Sequence, residues 1–122
     1  MNLQVSQAYN KASELLQSPR DAEFRIIARV THRLTVAAEA KEGNSAQMLE
    51  ALYLNERLWS SLASDVALEA NALPVSLKAK LLYLYRFTKH QSDLIREGRG
   101  EIGVLIDINR AVMRGLSGEL GG

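Results

Sequence analysis

His32 and His90 are the only histidines in the chain, and neither has a carboxylate or second histidine at the spacing of a zinc motif. A metal site would need ligands converging from distant segments. There is no cysteine, which removes thiolate nucleophiles, disulfides and cysteine metal ligands. Serines are plentiful, but no Gly-x-Ser-x-Gly elbow presents one for attack. Gly98-Arg99-Gly100-Glu101-Ile102-Gly103 matches Gly-x-Gly-x-x-Gly by spacing. No strand precedes it, so the βαβ unit that would make it a phosphate cradle is missing, and it reads as a flexible connection. No two of the acidic residues stand out as an acid–base pair. The expectation is a protein that is not an enzyme and needs no cofactor and no metal.

Binding chemistry is better represented. Lys78, Lys80, Arg86, Lys89 and Arg96 fall on one segment, interleaved with Tyr83, Tyr85 and Phe87. Basic and aromatic residues together can bind single-stranded RNA. Read around a helix, these cations are dispersed, which favours a solvated, salt-bridging surface. Trp59 is either a core anchor whose indole N–H finds a partner or an anchor for a partner helix. Asp107-Ile108-Asn109-Arg110 places an amide beside an apolar position. A buried Asn109 must pair with backbone or another polar side chain. Asp107 and Arg110 are three apart and can pair on a helix surface, worth about 0.2–0.5 kcal/mol. The run is a polar clasp between the last helix and the rest of the fold, or a recognition edge.

A chain of 122 residues suits one domain. At 47% hydrophobic residues it can bury one core. Fifteen basic and 14 acidic side chains nearly cancel, which argues against a large field for duplex nucleic acid. No apolar run approaches the roughly 18–20 residues that span a bilayer, and the N-terminus lacks the basic and apolar regions of a secretory signal. The expected location is the cytoplasm, with no membrane partner.

The elements that must position these residues are helical. Val5, Ala8, Tyr9, Ala12, Leu15 and Leu16 predict a first helix over about 3–16. Ser18-Pro19-Arg20-Asp21 starts a second: Ser18 caps, Pro19 takes the first position, and Asp21 and Glu23 favour the positive end. Phe24, Ile27, Ala28, Thr31, Leu34 and Ala38 share a face up to Gly43. Asn44, with Gln47, caps a third helix bearing Met48, Leu52, Trp59, Leu62, Ala63 and Val66. Asn71-Ala72-Leu73-Pro74 breaks the pattern, and Pro74 opens a fourth helix. Its stripe is Leu77, Leu81, Leu84, Tyr85, Thr88 and Ile95, widened by Leu82, Phe87 and Leu94, a breadth that calls for neighbours on more than one side. Gly98 and Gly100 end it. A fifth helix over about 101–116 carries Ile102, Leu105, Ile108, Val112 and Leu116. Short connections make this an all-α, compact antiparallel bundle of about five helices, a single domain over 1–117 with a disordered tail at 118–122.

Several islands, in order, resemble the flagellar FlaF family. They are Tyr9; Ser18-Pro19-Arg20 with Glu23, Phe24 and Arg25; Val30-Thr31-x-x-Leu34; and Trp59 with Asp65. They continue with Asn71-x-Leu73-Pro74; His90; and Leu105-Ile106-Asp107-Ile108-Asn109-Arg110-x-x-Met113-x-Gly115-Leu116. The resemblance spans about residues 5–116. The chain departs from it at Arg86-Phe87, where an apolar or aromatic pair is expected.

The resemblance implies a cytoplasmic, non-enzymatic protein of flagellum assembly that binds flagellin as a secretion chaperone. It also implies a link to flagellin synthesis, with a second regulator, FlbT, as a further partner. Arg20, Glu23, Trp59, Asp107 and Arg110 combine agreement with the family pattern and side chains able to anchor or orient a helix, so they are the candidate partner-binding residues. The alternative is an RNA-binding regulator of flagellin messenger RNA, acting directly or with FlbT. Balanced charge makes RNA the weaker expectation for the isolated protein. The same apolar surface would also serve a homodimer.

Overall fold

A computed structural model describes residues 19–40, 45–68 and 71–118, without the side chains of 19–23, 45 and 116–118. Four helices are described: α1 (Pro19–Glu39), α2 (Ser45–Val66), α3 (Val75–Arg96) and α4 (Ile102–Gly118). No described residue is in a strand. The all-helical bundle is as the sequence predicts. The expected first helix, the Ser18 and Asn44 caps and the Gly43 stop lie outside the described residues. So do residues 119–122 of the expected tail, while α4 continues through Gly118.

The helices form a ring in which α1 touches α2, α2 touches α3, α3 touches α4 and α4 returns to α1. The pairs α1/α3 and α2/α4 therefore face each other across diagonals. Arg33 of α1 meets Glu50 of α2, and Arg96 of α3 meets Glu56 of α2, so these consecutive helices run antiparallel.

The periodic apolar residues make the core. Ile27, Val30, Leu34 and Ala37 enter it from α1, Ala51, Leu52, Trp59, Ala63 and Val66 from α2, and Leu105 and Ile106 from α4. Ala38, predicted on the inner face of α1, is exposed, and Ala37 is buried in its place. The inner seam steps three residues after Leu34 instead of four, and both steps belong to the same helical face. Ala37 and Ala51 sit in the α1–α2 contact beside Leu34, Leu52 and Leu105. Their small side chains let the two helices approach closely.

α3 differs from the others. Its fully buried residues are polar, Thr88 and Ser92. The leucines of its predicted stripe, with Tyr85 and Ile95, are half-buried between α2 and α4. The breadth of the stripe thus corresponds to two helical neighbours.

Loop chemistry fixes where α3 begins and ends. The Leu73 N–H donates to Asn71 Oδ1 at 3.0 Å, and Asn71 Nδ2 donates to the backbone O and to Oδ2 of Asp65, both at 3.3 Å. Asn71 thereby ties the end of α2 to the Leu-Pro step through an Asx turn. The sequence predicts Pro74 as the first helical residue. It is instead the cap, extended at φ −57° and ψ 146°, and its carbonyl accepts the first intrahelical bond from Lys78 N–H at 3.0 Å. The difference is one residue, within the usual variation of a helix boundary.

At the far end Arg99 N–H donates to Leu94 O at 2.8 Å and Gly98 N–H to Ile95 O at 3.0 Å. This pair of bonds is a Schellman closure, which needs a left-handed residue at Gly98. Gly98 has φ +74°. The first half of the Gly-x-Gly-x-x-Gly run is therefore a helix stop and Gly103 lies in the first turn of α4, so the run connects two helices.

Candidate functional site

The densest polar chemistry lies inside the ring. Trp59 is 2% exposed, and its Nε1–H donates to Asn109 Oδ1 at 2.9 Å. Asn109 is fully buried and donates through Nδ2 to Asn55 Oδ1 at 2.8 Å. Trp59 and Asn55 are one turn apart on α2, and Asn109 reaches them from α4. The chain of bonds crosses the diagonal that no backbone contact bridges. Both ends of the Asn109 amide are used, so this residue fixes how α4 sits against α2. Asn55 Nδ2 is buried without a hydrogen-bond partner among the described residues, so the network is complete at Asn109 and open at Asn55. The two bonds at Asn109, in a low-dielectric interior, favour one arrangement of helices over its neighbours.

A buried, paired Asn109 is one of the two readings the sequence leaves open, and it is the one the structure shows; Asn55 goes unnoticed in the sequence. A signal for Asn55 exists: it fills the step between Leu52 and Trp59, where the helical period calls for an apolar side chain. Ser92 also escapes sequence reading. Its hydroxyl donates to Thr88 O at 2.8 Å, a local bond that lets a polar side chain be buried in a helix.

Above this interior a cleft of about 230 Å³ opens between α2 and α3. Tyr53 and Arg57 line it from α2, Tyr85 and Lys89 from α3, and Trp59 and Thr88 are buried residues of its lining. The Arg57 guanidinium lies over the Tyr53 ring, 5.8 Å from its centroid. Glu56, also in the lining, is held by Arg96 in a two-point pair: Nη1 donates to Oε1 at 2.6 Å and Nη2 to Oε2 at 2.9 Å. This hydrogen bonding by Glu56 keeps the Arg96 guanidinium above its ordinary pKa, so the arginine stays charged against the carboxylate it grips. Thr88 Oγ1 is buried without a hydrogen-bond partner among the described residues.

A second hollow, between α1 and α2, is lined by His32, Arg33, Val36 and Glu50. Its charges are already satisfied by the Arg33–Glu50 pair at 2.9 Å.

The candidate residues named from sequence fall in different places. Trp59 is in the core at the base of the cleft. Asp107 and Arg110 are exposed on α4, and among the described residues neither forms an ion pair, so the possible pairing between them is not made. Arg20 and Glu23 belong to the first turns of α1, and their side chains lie outside the described residues.

The basic residues of α3 are only partly dispersed: Lys80 and Arg86 lie about 200° and about 80° around the helix from Lys78. At about 100° per residue, Lys78, Lys89 and Arg96 fall within about 20° of each other, and Lys89 and Arg96 both face α2. Arg96 is spent on Glu56 and Asp93. Arg86 is exposed, and Phe87, at the departure from the family pattern, is half-buried with its ring stacked on Tyr83 at 6.3 Å. His32 and His90 are exposed, and no group of three or more potential metal ligands occurs among the described residues. No described helix is long and apolar enough to cross a membrane.

The family model described as Flagellar protein FlaF matches residues 5–116. Neither a curated protein nor a solved structure matches the chain.

Proposed function

The chain belongs to the flagellar protein FlaF family, and we propose that it binds flagellin as a cytoplasmic secretion chaperone and couples flagellin synthesis to export. The family match carries the flagellar part of this reading. The cleft between α2 and α3 supports the binding mode. Flagellin subunits must stay unpolymerised until export, and their amphipathic terminal segments would otherwise expose apolar stripes. A bundle can bury such a stripe by taking it as a helix in a groove. Burial contributes about 25 cal/mol per Å² of apolar surface, opposed by the ordering of the bound segment.

The chain offers such a segment aromatic surface at Tyr53 and Tyr85 beside a charged rim. Trp59 is proposed as the residue that braces the groove from below, and Arg20 and Glu23 of α1 with Asp107 and Arg110 of α4, helices that do not line this cleft, as a separate set of partner contacts. Catalysis has no part in this role. FlbT is proposed as the partner through which binding is reported to flagellin synthesis.

Co-elution of the purified protein with monomeric flagellin tests the proposal. Wild-type protein should shift flagellin to an earlier elution volume. Arg20→Glu and Arg110→Glu should weaken that shift while leaving the thermal midpoint nearly unchanged, because a rim arginine is usually dispensable for folding. Absence of co-elution by the wild type sinks the chaperone reading. Undiminished binding by both variants leaves the function standing and removes these two residues from the site.

A further inference from the structure

We propose that the α2–α3 cleft recognises an acidic side chain, Asp or Glu, presented by a helix of the protein partner. This deepens the chaperone reading and rests on it. Three observations converge. First, the charges of the cleft do not cancel. Glu56 is neutralised by Arg96, which leaves Arg57 and Lys89 as cations that form no ion pair among the described residues. Second, Thr88 Oγ1 is unpartnered although the residue is 1% exposed, and it lines the same cleft. Its own helix does not use its proton, so the hydroxyl is a donor awaiting an acceptor. Third, the walls are Tyr53 and Tyr85, whose rings can cover the methylene stem of a Glu or the apolar neighbours of an Asp.

Charge-assisted bonds from Arg and Lys to a carboxylate are the strongest hydrogen bonds open to such a site. They would also orient the incoming helix, since like-charged or basic stripes would meet Arg57 and Lys89 unfavourably.

A nucleotide is the competing occupant, because aromatic and basic residues also suit a base and its phosphate. The protein occupant is favoured for two reasons. Single-strand binding needs a continuous cationic groove along several phosphates, and here Arg96, the next cation on this face of α3, is held by Glu56. The net charge of the chain is only +1.

Trp59 is the only tryptophan and lines the cleft, so its fluorescence reports on occupancy directly. Purified monomeric flagellin is titrated, in a variant lacking tryptophan if it carries one, into wild-type protein, into Arg57→Glu/Lys89→Glu, into Thr88→Val and into Arg86→Glu. Arg86 is exposed and does not line the cleft, which makes it the control reversal. Binding should weaken at least about tenfold in the double reversal. It should weaken severalfold in Thr88→Val, with no loss of thermal stability, and stay within about twofold of wild type in Arg86→Glu. Wild-type affinity should fall as salt rises. No binding by wild-type protein overturns the chaperone reading and this site with it. Wild-type binding that the double reversal leaves unchanged overturns the site alone. Loss of flagellin leader RNA binding in the double reversal, with flagellin binding intact, assigns the cleft to RNA and overturns the proposal.

Discussion

Asn109 makes two hydrogen bonds while fully buried, so its removal strands two partners at once. Leaving a buried donor or acceptor unsatisfied costs about 1–3 kcal/mol. Asn109→Ala should therefore lower unfolding stability by at least that much, with a further contribution from the cavity. Denaturant unfolding checks it, and a double-mutant cycle with Asn55→Ala should give a coupling energy clearly different from zero. Thr88 provides the opposite case. Its hydroxyl has no partner, so Thr88→Val should be neutral or stabilising by the same measurement. At this scale the sequence is informative where a polar residue breaks a named apolar run, as at Asn109. At Asn55 the sequence marks only a polar residue on an apolar step, because one Asn in a helical stripe looks the same whether it faces solvent or another amide. Only the diagonal approach of α4 distinguishes the two.

At the scale of elements, the connections carry more information than the helices they join. Gly98 adopts φ +74°, and a methyl group added there would have nothing within 4 Å, so an alanine meets backbone strain and no clash. The cost is about 1–2 kcal/mol. At Gly100 the difficulty is space: a Cβ would lie 2.9 Å from Ile95 Cγ1 and 3.1 Å from Ile95 N. Both Gly98→Ala and Gly100→Ala should lower the thermal midpoint, and Gly98→Asn should recover part of the first loss, because Asn tolerates the left-handed region. These glycines are legible in the sequence as a stop. Asn71 is legible as a break, though its bonds to Asp65 and to the Leu73 N–H are not, since they depend on how α2 ends. Arg96–Glu56 is invisible to sequence reading, which requires local spacing, while this pair joins residues 40 apart. Its geometry is two-point, yet both side chains keep contact with solvent, so Arg96→Met should cost no more than about 1 kcal/mol. The guanidinium pKa is held above its ordinary value, so any stability it contributes is complete below the unfolded-state pKa. That stability is lost only as pH rises through the still higher folded-state pKa. Between about pH 5 and 9 the pair should therefore add no slope to a stability profile from the arginine side.

For the whole molecule, the family islands prove to be largely architectural. Trp59 and Asn109 lock the diagonal, Leu105 and Ile106 fill the core, and Asp65, Asn71 and Pro74 set the α2–α3 turn. What they build is a ring whose α3 buries no apolar side chain fully and whose α2–α3 seam stays open as a cleft. The fold class can be read from periodicity and punctuation alone. The cleft cannot, because it is formed by what α2 and α3 leave uncovered between them, and its walls join residues about 30 apart in sequence. The proposed role as a flagellin chaperone is tested most directly by calorimetric titration of purified monomeric flagellin into this protein at several temperatures. We expect saturable heat and a negative heat-capacity change, the mark of apolar surface buried on binding. Absence of heat at every temperature, with flagellin still monomeric and folding-competent, would contradict that role.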